Sequence, residues 1–344
     1  MKSIDKPEFI FLPQEDVIAA GVLDMAQALA EVELSFQMHG RGEVIQPNKT
    51  VIEFPDAQTG HRRYLTVSMP AYLGGQINRA GIKWAAESLD NGQRPGLPYG
   101  IDMIILHDLE RAHPVALMDG TLITAMRTGA AAGVAAKYLA RPEAKTAGFI
   151  GAGVIGRTAF EAIALAVPGL TEFRLFDLNV DKARALAAEF AGRWQIEIVD
   201  SAQAAVENAD VVATMTTTRA PFIKADWLKA GCFVAAMGKN EFEAEALLRA
   251  NRLVVDEWEQ FKHYQPALLA QLYQAGQIDE ANIANLRDIM LNRTPGRSSA
   301  GDRIHFLSFG LACEDLVLAE RIYQNARALG LGQQLSLWQQ PHWV

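Results

Sequence analysis

The chain has 344 residues, half of them hydrophobic, with a formal net charge of −8 and two cysteines. That length suits two domains, each large enough to bury its own core, and the acidic balance gives no footing for nucleic acid or an anionic membrane as partner. No apolar run approaches the ~20 residues of a membrane span, and Met1–Glu8 lacks the apolar stretch of a secretory signal. Cys232 and Cys313 lie far apart in apolar contexts and read as buried thiols of a reducing compartment, so the expected location is the cytoplasm.

In chain order, the first third is mixed. Val17, Met25, Leu29, Val32 and Phe36 recur near helical spacing and predict a helical stretch over 14–39. Strand-like pieces bounded by glycine and polar residues follow at 44–45, 50–54, 63–69, 77–84, 103–107 and 113–118. Short strands without long helices between them predict a mixed or antiparallel sheet. Asp119-Gly120-Thr121 marks a turn with Thr121 as N-cap, and 122–139, apolar on nearly all sides, predicts a buried helix. From Thr146 onward strands (146–150, 173–176, 196–199, 210–215, 232–237, 253–255) alternate with helices (157–166, 181–190, 202–208, 266–272), which predicts an open, mostly parallel sheet. A strand at 304–309 and an amphipathic helix at 314–329 lie beyond that unit and are expected to return to the first domain.

The most specific signal is the run Gly151-Ala152-Gly153-Val154-Ile155-Gly156 between the strand at 146–150 and the helix after it. Gly151 permits the tight turn, Gly153 lets backbone N–H groups approach a pyrophosphate, and Gly156 lets helix and sheet lie close. The helix N-terminus adds unpaired N–H groups and a partial positive charge. Asp177 closes the next strand 21 positions after Gly156, where a carboxylate accepts both hydroxyls of an adenosine ribose and repels a 2′-phosphate. The expected cofactor is therefore NAD, with Val154 and Ile155 in the turn beside it. Thr216 and Thr217, and the group Lys239-Asn240-Glu241, follow later strands and fall at the carboxyl end of the sheet, where ligands bind; the bland alternative is a solvated loop.

Three cations are candidates for chemistry. Lys83, in Ala-Gly-Ile-Lys-Trp at the end of a strand, is either an exposed lysine or a partly buried amine that binds a carboxylate or moves a proton. Arg127 is the first charge in the apolar helix and needs a fixed anion: an internal acid such as Asp119 or Glu314, or a ligand carboxylate. Lys49 reads as a solvated loop residue. His107, His113 and His305 show no metal-ligand spacing and read as structural, so no metal is expected.

The segments Ser68-Met69-Pro70, Gly81-Ile82-Lys83-Trp84, Met118-Asp119-Gly120, Thr124 to Ala130, Gly151 to Gly156 and Phe309-Gly310-Leu311-Ala312-x-x-Asp315 together resemble the ornithine cyclodeaminase/μ-crystallin family. Gln46-Pro47-x-Lys49, Asp226-Trp227-Leu228, Val254-Val255-Asp256-x-Trp258 and Leu335-Ser336-Leu337-Trp338 are most similar to a siderophore-biosynthesis branch that forms 2,3-diaminopropionate. The resemblance implies an α/β fold in which a Rossmann domain (129–305) is inserted in a discontinuous α+β substrate and dimerisation domain (1–128 and 306–344), with the active site in the cleft between them. It implies that Lys83 and Arg127 hold a substrate α-carboxylate with Lys49 and Met69 nearby, and that Gly238 and Gly310 join the cofactor set. Two family acids are missing: Lys239-Asn240 replaces the cyclodeaminase aspartate after Gly238, and Val67 replaces a glutamate before the Met-Pro pair. The implied function is an NAD-dependent amino-acid dehydrogenase or imine reductase working as a homodimer. The alternatives are ornithine cyclisation and a redox-silent ligand binder.

Overall fold

The computed structural model describes residues 6–56, 62–88, 90–91, 94–218, 220–238 and 240–343. The first elements are β1 (Glu8–Leu12), α1 (Gln14–Ala19), α2 (Met25–Gly40), β2 (Val44–Ile45), β3 (Thr50–Pro55), β4 (Arg62–Leu73), β5 (Arg79–Ser88), β6 (Gly100–Asp108), β7 (His113–Asp119) and α3 (Thr121–Leu139). The alternating segment adds β8 (Thr146–Ile150), α4 (Val154–Ala166), β9 (Glu172–Phe176), α5 (Val180–Phe190), β10 (Ile196–Ile198), α6 (Ala202–Val206), β11 (Val211–Thr214) and β12 (Phe233–Ala236). It continues through α7 (Ala244–Leu248), β13 (Arg252–Val255), α8 (Trp258–Phe261), α9 (Leu268–Gln274), β14 (Ile283–Asn285), α10 (Leu286–Met290), β15 (Ile304–Leu307), α11 (Ala312–Leu329) and β16 (Gln333–Ser336). Among the described residues no helix is long and apolar enough to cross a membrane, and both cysteines are free and buried.

One compact unit comprises the described residues of Met1–Asp24, Arg41–Arg127 and Leu311–Val344; the other comprises Met25–Gly40 and Thr128–Gly310. The first unit is built on a mixed sheet of order β16-β1-β7-β6-β5-β4-β2, with β3 also on β4. Its ladders are antiparallel except β1 with β7. Pro70 sits inside β4 opposite Ile82 of β5, at a gap on the other edge, where β3 pairs with β4 only up to Ser68 and β2 only from Tyr72. Alternation along β5 and β6 puts Lys83, Ala85, Asp102, Ile104 and Leu106 on one buried face. Helix α11 covers that face closely: a Cβ on Gly81 would lie 3.0 Å from Leu316 Cδ2. The opposite face carries Trp84 beside Met103, with Ile101 on the same side, exposed by 46%, 45% and 43%.

The second unit is a parallel sheet of order β10-β9-β8-β11-β12-β15-β13-β14. The order reverses at β8, so the carboxyl ends of β8 and β11 flank the crevice where such sheets take ligands. Three expectations are corrected. The helical stretch over 14–39 is two helices, broken where Gly21 adopts φ +96°. Of these, α2 belongs with the parallel sheet: Leu29 fills the space a Cβ on Gly133 would need, at 2.7 Å. Strand β15 lies between β12 and β13, so 304–307 completes the parallel sheet and does not return to the first unit.

Candidate active-site residues

In the second unit the glycine turn has the form its residues dictate. Gly151 adopts φ +106°, and a Cβ there would sit 2.5 Å from the Met215 carbonyl oxygen. A Cβ on Gly156 would sit 2.1 Å from the Gly151 carbonyl oxygen, so helix α4 reaches the turn only without one. A Cβ on Gly153 meets nothing within 4 Å. Gly153 is also the N-cap of α4 and, having no side chain, supplies no cap bond to the first-turn N–H groups. Asp177 is oriented by two backbone donors: Oδ2 accepts from Ala152 N and Oδ1 from Asn179 N, both at 2.7 Å. A carboxylate keeps further lone pairs for ribose hydroxyls. Open donors, open space and a fixed acid fit a dinucleotide.

The loop after β11 is not simply solvated. Thr216 donates from N at 2.9 Å and from Oγ1 at 3.1 Å to Glu241 Oε1. Glu241 is 1% exposed; burial pushes its pKa up, against the pull of the Thr216 bonds. Gly238 packs against this acid: a Cβ there would lie 2.4 Å from the Glu241 carboxyl and would displace it. Thr217 is exposed, Lys239 lies outside the described residues, and Gly310 (φ +81°) donates its N–H to buried Asp256 at 2.6 Å.

In the first unit, Lys83 is a mid-strand residue, 1% exposed, not an exposed strand end. The reading of 77–84 as the strand misplaced it; β5 runs on to Ser88. Its Nζ lies 3.0 Å from Asp315 Oδ2 and donates to Thr124 Oγ1 at 3.3 Å. Arg127, one helical turn after Thr124, donates from Nε to Asp315 Oδ1 at 3.0 Å and from Nη1 to Glu314 Oε2 at 3.1 Å. Burial works against the Arg127 charge, but Asp315 and Glu314 hold its pKa above the ordinary arginine range. Burial likewise works against ionised Asp315, yet Arg127 and Lys83 keep its pKa below the usual aspartate value. Met69 is Lys83's cross-strand neighbour. Lys49 is half-buried in the loop between β2 and β3.

The internal-acid expectation for Arg127 is met by Glu314, not by Asp119, which accepts from Gln14 and Thr121 N. Asp102 belongs to no motif of the sequence, although it shares strand parity with Ile104 and Leu106 and so faces the core. Its Oδ2 accepts from Thr124 Oγ1 and lies 4.0 Å from Lys83 Nζ.

A parallel sheet carrying an open glycine turn, joined in one chain to a mixed sheet carrying a buried cation pair, defines a two-unit protein of the dinucleotide-binding α/β class. The chain belongs to the ornithine cyclodeaminase/mu-crystallin family, whose model matches residues 10–330. It is 28% identical over 96% of its length to N-((2S)-2-amino-2-carboxyethyl)-L-glutamate dehydrogenase of Staphylococcus aureus, covering 99% of that protein. The structure of Thermococcus litoralis Delta(1)-pyrroline-2-carboxylate reductase with NADH and L-proline matches with TM-score 0.86 and 31% identity, over 94% of this chain and 99% of that one. An archaeal alanine dehydrogenase dimer with bound NAD matches with TM-score 0.86 and 30% identity, over 96% and 100%.

Proposed function

We propose that this protein is an NAD-dependent oxidoreductase acting at the C–N bond of an amino or imino acid. The observation that carries the reading is the buried pair Lys83 and Arg127 bracketing Asp315, in a chain that also builds an open dinucleotide turn. The substrate α-carboxylate docks on Lys83 and on guanidinium donors not spent on Glu314 and Asp315. That grip orients the α-carbon, with Lys49 and Met69 at its edge. The first-turn N–H groups of α4, Asp177 and the Thr216–Thr217 loop hold NAD, which supplies the hydride acceptor or donor. Lys83, held by Asp315 and Thr124, stabilises charge at the substrate or relays the proton of the substrate nitrogen. In the oxidative direction the amine becomes an imine, which water opens to an oxo acid and a free amine. Likeness to the S. aureus enzyme makes N-(2-amino-2-carboxyethyl)-L-glutamate, a precursor of 2,3-diaminopropionate in siderophore biosynthesis, the first substrate to try.

The test measures NADH oxidation against 2-oxo acids plus amines, beside NAD reduction with N-substituted amino acids. Turnover in either direction supports the reading. Binding of NADH and a small acid with no turnover on either panel sinks it and leaves a redox-silent carrier.

A further inference from the structure

We infer that Asp102 is a proton-carrying positioning residue for Lys83, which takes up a proton from solvent when a substrate carboxylate docks. The inference rests on Lys83 and Arg127 as the carboxylate grip. Asp102 is 5% exposed, and its backbone is fixed to the start of α3: its N–H donates to Thr121 Oγ1 at 3.2 Å and its carbonyl accepts from Gly120 N at 2.8 Å. Facing its carboxyl are Lys83 from β5, Thr124 and Arg127 from α3, and Asp315 from α11, with Glu314 joined through Arg127.

Thr124 Oγ1 donates to Asp102 Oδ2 and lies 3.4 Å from Asp315 Oδ1. A hydroxyl has one hydrogen, so it serves one of these carboxylates at a time. With Asp102 ionised, Thr124 donates to it. With Asp102 protonated, the new O–H donates to Thr124, and the hydroxyl hydrogen turns to Asp315 and tightens the anchor of Lys83.

Charge decides which acid takes the proton. Fully ionised, Asp102, Glu314 and Asp315 face two cations, and a substrate carboxylate would add a fourth negative group to a buried cluster. Asp315 and Glu314 touch cations at 3.0 and 3.1 Å, whereas Asp102 stands 4.0 Å from Lys83. Asp102 is the acid that loses least by neutralising. Burial raises its pKa, with Lys83 and Thr124 pulling the other way. Because the bound form carries the extra proton, affinity falls as pH rises past the point where free Asp102 ionises, by up to about tenfold per pH unit.

The experiment titrates NADH-saturated enzyme with pyruvate and 2-oxoglutarate, neither of which titrates near neutral pH. Calorimetry between pH 5 and 9 in buffers of different ionisation enthalpy counts the protons taken up. Wild type should take up a proton count that climbs toward about one per site as pH rises. Asp102→Asn should bind NADH as tightly as wild type, take up none, and show a flat pH profile for the oxo acid. A residue that merely supports the fold would change affinity without changing the proton count. Oxo-acid binding with no proton uptake in wild type, or with equal uptake in Asp102→Asn, overturns the role of Asp102 and leaves the proposed function standing. If neither oxo acid binds, the docking step on which the role of Asp102 depends is absent and that role is overturned, whereas the proposed function falls only if both turnover panels also fail.

Discussion

Arg127 was legible as a residue that needs an anion because it interrupts an apolar helix, but its sequence context does not reveal which anion. The acids that meet it come from α11, more than 180 positions away. Arg127→Lys keeps the charge and loses the planar fork, so one of Glu314 and Asp315 loses a bond. It should lower stability by about 1–3 kcal/mol and, if the guanidinium also grips substrate, lower kcat/KM by roughly a hundredfold. Thermal unfolding and steady-state kinetics separate the two roles. A lower Tm with kcat/KM of the folded fraction unchanged would leave Arg127 a purely internal partner. Asp177 was readable from spacing alone, and the bond it accepts from Ala152 N explains the spacing, since it ties the end of β9 to the glycine turn, while the bond from Asn179 N fixes the carboxyl locally. Asp177→Ala should bring the NADH and NADPH dissociation constants together, mainly by weakening NADH about tenfold or more. Equal affinities in wild type would contradict the assignment. Asp102 was harder to see because its neighbours matter, not its motif. The strand register sets Val67, Ala85 and Asp102 in one row across β4, β5 and β6, so a carboxyl stands on this face although the family glutamate is replaced by Val67.

Elements of the parallel sheet could be read from the sequence because each is short, apolar and punctuated, so strand, turn and helix each leave a mark. The exceptions share a cause. Residues 304–307 enter the sheet between β12 and β13 only through a long connection, and sequence adjacency to α11 points the wrong way. Likewise α2 looks continuous with α1 by periodicity, yet its partners are α4 and α10. The glycine turn yields a contrast between two equivalent-looking substitutions. Gly153→Ala adds a methyl group to space no protein atom fills, so Tm should stay within about a degree while NADH affinity falls. Gly156→Ala drives its Cβ into the Gly151 carbonyl oxygen, and overpacking against backbone should cost about 1–3 kcal/mol or more. Unfolding curves with and without NADH distinguish the pair. Equal destabilisation by both would mean that Gly153 has a packing role.

At the scale of the whole molecule, the first unit poses a problem that one chain does not solve within that unit. Its sheet has helix α11 on the face of Lys83 and Ile104, while the other face shows Trp84, Ile101 and Met103 half-exposed and side by side. Contiguous apolar surface of this kind on a sheet marks an interface. The short strands without covering helices point to an uncovered apolar face already in the sequence; which residues face outward needed the register. We propose that a second copy of this chain covers the face, making an isologous homodimer, the arrangement most oligomers adopt. Light scattering at micromolar concentration should then give twice the chain mass of 37.6 kDa. Trp84→Lys places a charge in the middle of the apolar row while leaving the buried neighbours Lys83 and Ala85 untouched. It should raise the dimer dissociation constant at least about a hundredfold, because the ammonium must be desolvated to re-form the contact. NADH binding should persist in the Trp84→Lys monomer, since the turn at 151–156 and Asp177 lie in the other unit. A monomeric wild type, or a Trp84→Lys protein as dimeric as wild type, would place the interface elsewhere or remove it.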